Sequence, residues 1–186
     1  MPSRARAGFT LAELMVVVAI IGLGSYVVSM SFDAIVPRER LNTSVRNLTS
    51  TLRDARSRAI SKGLPFEIEY DLPGRRYRLV TPFRNNAEGL FIEGADRDED
   101  RFVTAWQFLA DGVDFAELYV AGVPYNGEDP YRVRFDGRGS ATEHSVVLAQ
   151  PQYESFTTVE VMALTGLFRM HDGRYVREPV EEGDFD

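Results

Sequence analysis

From Leu14 to Phe32 no residue carries a charge, nineteen consecutive positions in all. Such a run is long enough to cross a hydrocarbon core as one helix. Yet Glu13 stands just inside its start. A carboxylate in such a segment is costly, about 2.5–3.5 kcal/mol at the helix centre and less near the interface. An ionisable residue in that place is a functional position by default. A leader with Arg4 and Arg6 precedes the run and ends at Gly8.

The chain has 186 residues, so about 150 remain beyond the apolar run, enough for one modest core. Its net charge is -7, and removing residues 1–8 with their two arginines makes it -9. A general nucleic-acid binder would show a basic footprint instead, so nucleic acid is not an expected partner. The absence of cysteine excludes disulfides, thiolate metal sites and thiol nucleophiles. Only two histidines occur, His144 and His171, far apart in sequence. The composition offers little for catalysis, and no cofactor is expected.

A secretory signal peptide would have an apolar core of about 7–15 residues and a small-residue cleavage site. Here the run is longer, and Ser29-Met30-Ser31 makes a poor cleavage site. At 1.5 Å per residue, Phe9–Phe32 spans about 36 Å against a core of about 30 Å. Arg4 and Arg6 place the amino end on the cytoplasmic side, and the rest of the chain outside it. A retained single-pass anchor is therefore expected.

Gly8, Phe9-Thr10-Leu11-Ala12-Glu13 and the apolar helix after them resemble the class III signal of type IV pilins and type II secretion pseudopilins. The resemblance implies cleavage between Gly8 and Phe9 by a prepilin peptidase, which then methylates the Phe9 amine. It also makes Glu13 the acidic residue at the fifth mature position. The chemistry is coherent in its own terms. Cleavage creates a cationic amine at the positive end of a helix dipole. Glu13, one turn away, can answer that amine or the amine of a neighbouring subunit. The family implication is the second: the pair registers a new subunit in the filament.

Further along, Leu41, Val45, Leu48, Leu52, Ala55 and Ala59 recur at steps of four and three. This is an amphipathic stripe, with Arg46, Arg53, Asp54, Arg56 and Arg58 read as a solvated face between. Gly63 and Pro65 end the helix. Pro37 removes a backbone hydrogen bond and predicts a kink near Asp33–Pro37, where apolar and amphipathic halves meet. Arg56, Ser57, Ala59 and Ile60 are similar to the ARSxAI segment of the GspH/FimT branch of minor pseudopilins and pilins.

After Pro65 the period changes to two. Phe66, Ile68 and Tyr70 alternate with Glu67 and Glu69, and Tyr77 and Leu79 with Arg76 and Arg78, around an Asp71-Leu72-Pro73-Gly74 turn. A hairpin with glutamates facing arginines follows. Further strands are expected at 102–109, 113–120, 131–135, 145–149, 157–164 and 167–171. The fold class is α+β, type IV pilin-like: a long N-terminal helix packed on an antiparallel sheet. Phe135–Gly139 and Val161–Gly166 resemble the last two hairpins of the GspH-type domain, and 82–130 reads as a variable insertion. The organisation is a leader at 1–8, a transmembrane segment at 9–32 and a stem helix at 33–63. A periplasmic β-rich domain at 64–177 and an acidic tail at 178–186 complete it.

Asp96, Asp98 and Asp100 alternate as in the start of a calcium loop, but Arg101 and Gln107 stand where glycine and glutamate belong. A solvated acidic loop is the expected reading. His144 beside Glu143 and His171 beside Asp172 come with no nucleophile or metal spacing, so both are expected at the surface or in turns. Trp106, Phe102 and Phe108 share strand parity and are expected in the core. Tyr119, Tyr125 and Tyr131 flank a Gly/Pro-rich loop and either pack or form a binding surface. Arg132, Arg134 and Arg138 make a local basic patch.

The resemblance implies a minor pseudopilin of a type II secretion system, single-pass in a bacterial inner membrane with its C-terminal domain in the periplasm. Its partners would be other pseudopilins or pilins, the prepilin peptidase/methyltransferase, the inner membrane and exported cargo. It would be the substrate of an enzyme, not an enzyme. The alternative is a FimT-like minor pilin of a type IV pilus, active in pilus assembly or DNA uptake.

Overall fold

The computed structural model describes residues 10–85, 91–93 and 101–177, without the side chains of 26–38, 85 and 91–93. The chain divides into two compact units, Met1–Arg38 and Glu39–Asp186. One helix, α1 (Leu11–Lys62), contributes to both. Pro37 falls within its span.

In the second unit the expected stripe is the buried face of α1. Leu41, Val45, Leu48, Leu52, Ala55 and Ala59 are all at most 4% exposed. The helix ends in a Schellman turn: Gly63 N–H donates to the Ile60 carbonyl at 3.3 Å, and Leu64 N–H to the Ala59 carbonyl at 3.2 Å. That turn requires a left-handed residue, and Gly63 supplies it at φ 67°.

Two antiparallel sheets face the stripe, where one was expected. The first is built from β1 (Phe66–Asp71), β2 (Arg76–Asn85), β3 (Phe91–Glu93), β4 (Arg101–Val103), β5 (Gln107–Phe108) and β8 (Tyr131–Phe135). Its order is β3-β2-β1-β8, with β4 and β5 also on β2. The second contains β6 (Asp114–Val120), β7 (Val123–Pro124), β9 (His144–Gln150), β10 (Ser155–Val161) and β11 (Phe168–Asp172). It runs β11-β10-β9-β6-β7. Phe66, Ile68, Tyr70, Val133 and Phe135 from the first sheet and Leu118, Val146, Leu148, Val159 and Val161 from the second join the stripe in one core.

The β1–β2 hairpin has the expected chemistry. Glu69 lies opposite Arg78 and Asp71 opposite Arg76. Glu69 accepts from Arg78 and, at 2.9 Å, from Arg132 of β8; Asp71 pairs with Arg76 at 2.6 Å. Glu67 instead lies opposite Val80 and reaches Arg101 at 2.9 Å. Glu69 is buried, yet two guanidinium groups answer it, as a buried charge requires.

The 102–109 strand is broken, which corrects the reading of its aromatics. Val103 pairs with Val80 and Gln107 with Tyr77, so one side of the ladder holds an extra residue. An inserted residue reverses which face later side chains occupy. Trp106 accordingly leaves the core and lies against the Arg76 and Arg78 guanidinium groups, 4.4 and 4.1 Å from its ring centre. Phe108 is 66% exposed. The expected 157–164 strand also stops early, at Val161. There Met162 N–H turns to the Leu167 carbonyl at 3.0 Å and Gly166 N–H to the Met162 carbonyl at 2.8 Å.

Candidate functional site

The candidate assembly site is the amino end of α1. Thr10 precedes the helix, and its hydroxyl accepts the Glu13 backbone N–H at 3.3 Å while its carbonyl accepts from Glu13 and Leu14. Thr10 is thus an N-cap, with Glu13 at the third helical position. That is the spacing of a capping box. The pattern Thr-x-x-Glu was present in the sequence, and the reading of Glu13 as an assembly residue passed over it. Glu13 lies in the first turn, where the dipole favours an acid, and its side chain is exposed.

Around it the helix is apolar on every side. Leu11, Leu14, Met15, Val16, Val17, Val18, Ile20, Ile21 and Leu23 are all 46–78% exposed. A helix apolar all round belongs in lipid or among other helices, not in water. Among the described residues no helix is long and apolar enough to cross a membrane. The side chains of the expected 9–32 span that lie beyond Ser25 are outside the described residues, as are Gly8 and Phe9. The aspartates Asp96, Asp98 and Asp100 and the acidic tail at 178–186 also lie outside them. Among the described residues no group of three or more acidic or histidine side chains is placed to hold a metal ion.

His144 corrects the expectation of a surface or turn position. His144 is buried between the sheets: Nδ1 lies 2.7 Å from the Thr142 carbonyl and Nε2 3.2 Å from the Tyr70 hydroxyl. Nδ1–H therefore donates to the carbonyl, and Nε2 accepts from the tyrosine. Burial depresses its pKa from 6.5 to about 4, and burial likewise raises that of Tyr70. The folded state thus holds His144 neutral. Because the unfolded chain binds the proton first, stability is complete above about pH 6.5 and declines as pH falls toward 4. The gap in pKa corresponds to about 3 kcal/mol. Urea titration of the full chain in detergent between pH 7 and 4 should show this loss, and His144→Gln should flatten that part of the profile. His171 lies beside Glu160, at 2.9 Å, and stacks on Tyr175.

The helix cations are not all solvated. Arg58 pairs with Asp54 at 2.8 Å in the open, but Arg56 Nε donates to the Thr165 carbonyl at 3.0 Å. Arg56 therefore ties the stem to the β10–β11 turn, a contact that its charge and its place on the helix did not announce. Arg132 is held by Glu69, so only Arg134 and Arg138 of the basic patch are exposed. Tyr125 packs on Tyr131, ring centres 4.7 Å apart, and donates to the Asp129 carbonyl; Tyr119 donates to Glu117. Packing against the core accounts for Tyr125 and Tyr131, and a hydrogen bond holds Tyr119.

Residues 3–25 match the family model described as the prokaryotic N-terminal methylation motif. No curated protein matches the chain. Among solved structures it is similar to the minor pseudopilin EpsH of the Vibrio cholerae type II secretion system. One EpsH structure is 16% identical over 72% of this chain and 97% of EpsH, with a TM-score of 0.48. A second gives 15% identity over 75% and 98% of the two chains, with a TM-score of 0.49. The Pseudomonas aeruginosa type IV minor pilin FimU is 18% identical over 73% of this chain and 90% of its own, with a TM-score of 0.46.

Proposed function

We propose that the chain is a GspH/FimT-type minor pseudopilin, a non-enzymatic subunit of a pilin-type filament. The supporting observation is one continuous arrangement: a methylation motif over residues 3–25 runs into a Thr10-capped helix, apolar on all sides, with Glu13 in its first turn. In this reading a prepilin peptidase cuts between Gly8 and Phe9 and methylates the Phe9 amine. The helix is anchored in the inner membrane before assembly, and the Glu39–Asp186 unit lies in the periplasm.

Assembly then transfers the apolar helix from lipid into a bundle of like helices. The Phe9 amine enters an apolar surrounding, where an unanswered charge is costly. Glu13 of the neighbouring subunit supplies the anion, and Thr10 holds the first turn so that the carboxylate faces outward. Pro37, which has no N–H to give the helix, is the proposed joint between membrane and periplasmic halves.

We favour a type II secretion pseudopilus over a type IV pilus. The chain's net charge is -7, and Arg132 is engaged by Glu69 instead of standing free for a polyanion. Exported cargo would meet the periplasmic unit. The test is Glu13→Ala in cells that carry the other subunits. Leader removal and membrane insertion should be normal, while recovery in sheared filaments should fall by about tenfold or more, as loss of one partner of a buried ion pair requires. Undiminished incorporation would remove the amine–carboxylate pairing from the account.

A further inference from the structure

We propose that the outer edge of β11 is a docking site for an extended segment of another protein, one that alternates apolar and acidic residues. The backbone register makes the case. Met162 N–H donates to the Leu167 carbonyl and Gly173 N–H to the Phe156 carbonyl, which fixes the hydrogen-bonded pairs of the β10–β11 ladder. Arg169 then bonds with Glu160 and His171 with Thr158, the pairs that lie opposite in the register. The N–H and C=O groups of Phe168, Met170 and Asp172 point the other way. Among the described residues no strand pairs with that side of β11.

The other sheet margins are handled differently. β3 has three residues, and β7 has two, one of them Pro124. The outer side of β8 is capped where the Arg134 carbonyl accepts from Thr142 N–H and Arg134 N–H donates to the Thr142 hydroxyl. Short, proline-bearing or capped edges are how proteins prevent unwanted pairing. The five-residue β11 contains no proline, and exposed apolar side chains accompany it: Leu164, Leu167 and Met170. The described residues after Gly173, 174–177, lie on the opposite face of the sheet, where Tyr175 N–H meets the Thr158 hydroxyl and Arg174 and Arg177 reach Glu117 and Glu143.

A row of free backbone groups selects an extended peptide, and side chains at alternate positions give it specificity. Phe168 and Met170 share the face of core residues Val161 and Val159, so the partner's apolar residues belong there. Arg169 is exposed on the opposite face, so the partner's intervening residues are acidic. This inference stands apart from the processing of the amino end.

The probe is a blocked, fluorescent hexapeptide of alternating valine and glutamate, titrated into the full chain in detergent. Saturable anisotropy is expected, with slowed amide exchange at Phe168, Met170 and Asp172. Met170→Pro removes an outward N–H and leaves the β10 ladder intact, so it should weaken binding by about tenfold or more. Retained exchange protection at Arg169 and His171 verifies that the variant is folded. Should it not be, the wild-type chain is titrated with the peptide N-methylated at every second residue, and loss of binding is again expected. Absence of peptide binding, or binding indifferent to both changes, overturns the proposal. So does protection of the three edge amides that rises with protein concentration alone, which would mean pairing between two copies.

Discussion

Leu52→Ala is expected to lower the unfolding free energy of the Glu39–Asp186 unit by about 3–5 kcal/mol, the upper range for a leucine emptied from a closed core. Leu52 has no exposed surface and belongs to the cluster where the stem stripe meets both sheets. Its neighbours along the stripe, Ala55 and Ala59, are already small and fully buried. They have no side-chain reach with which to fill the space. Nor can α1 settle inward freely, since Arg56 ties it to Thr165 and the turn after Lys62 is fixed by two hydrogen bonds. The cavity should therefore persist. Urea unfolding of the full chain in detergent, followed at its single tryptophan, measures the loss. Ile60→Ala, 44% exposed on the same helix, should cost less than about 1 kcal/mol. Equal costs at the two positions would mean that the stripe is not the core.

Gly137→Ala is expected to be nearly as damaging, at about 3 kcal/mol, through overpacking instead of a void. A Cβ built at Gly137 would stand 2.7 Å from both the Cα and the carbonyl oxygen of Gly63. Both sides of that contact are backbone, so no rotamer change relieves it. Gly63 itself cannot move away, because its left-handed conformation closes the helix. The Phe135–Gly139 turn must separate from the end of the stem, and Arg56 beside Gly139 and Gly166 would lose its seat. A fall in urea midpoint comparable with that of Leu52→Ala is the expected result. An unchanged midpoint would show that the turn does not press on the helix end.

The stem was legible because a helix imposes one period, and every position of the Leu41–Ala59 stripe obeys it. β1 and β8 were legible for the same reason: their alternation is unbroken, and the Glu–Arg pairing between β1 and β2 is written in adjacent strands. Trp106 and Phe108 were misread because a single extra residue opposite β2 reverses parity, and nothing in the local composition marks it. His144 was expected at the surface or in a turn because burial of a histidine depends on a partner seventy-four positions away, the Tyr70 hydroxyl. Two sheets were read as one because strand order is long-range information, absent from the spacing of the strands. At the amino end the motif and Glu13 were plain, whereas the Thr10 cap was visible and passed over.

The central claim is that the amino end of this chain is a processed assembly handle. It is tested most directly by the mass of the amino-terminal peptide after expression of the full chain with a prepilin peptidase. The account predicts a chain that begins at Phe9 and carries one methyl group on its amine, and a Gly8→Ala variant that retains residues 1–8. A wild-type chain that keeps its leader under those conditions, or a Gly8→Ala chain cut as efficiently as wild type, would contradict it.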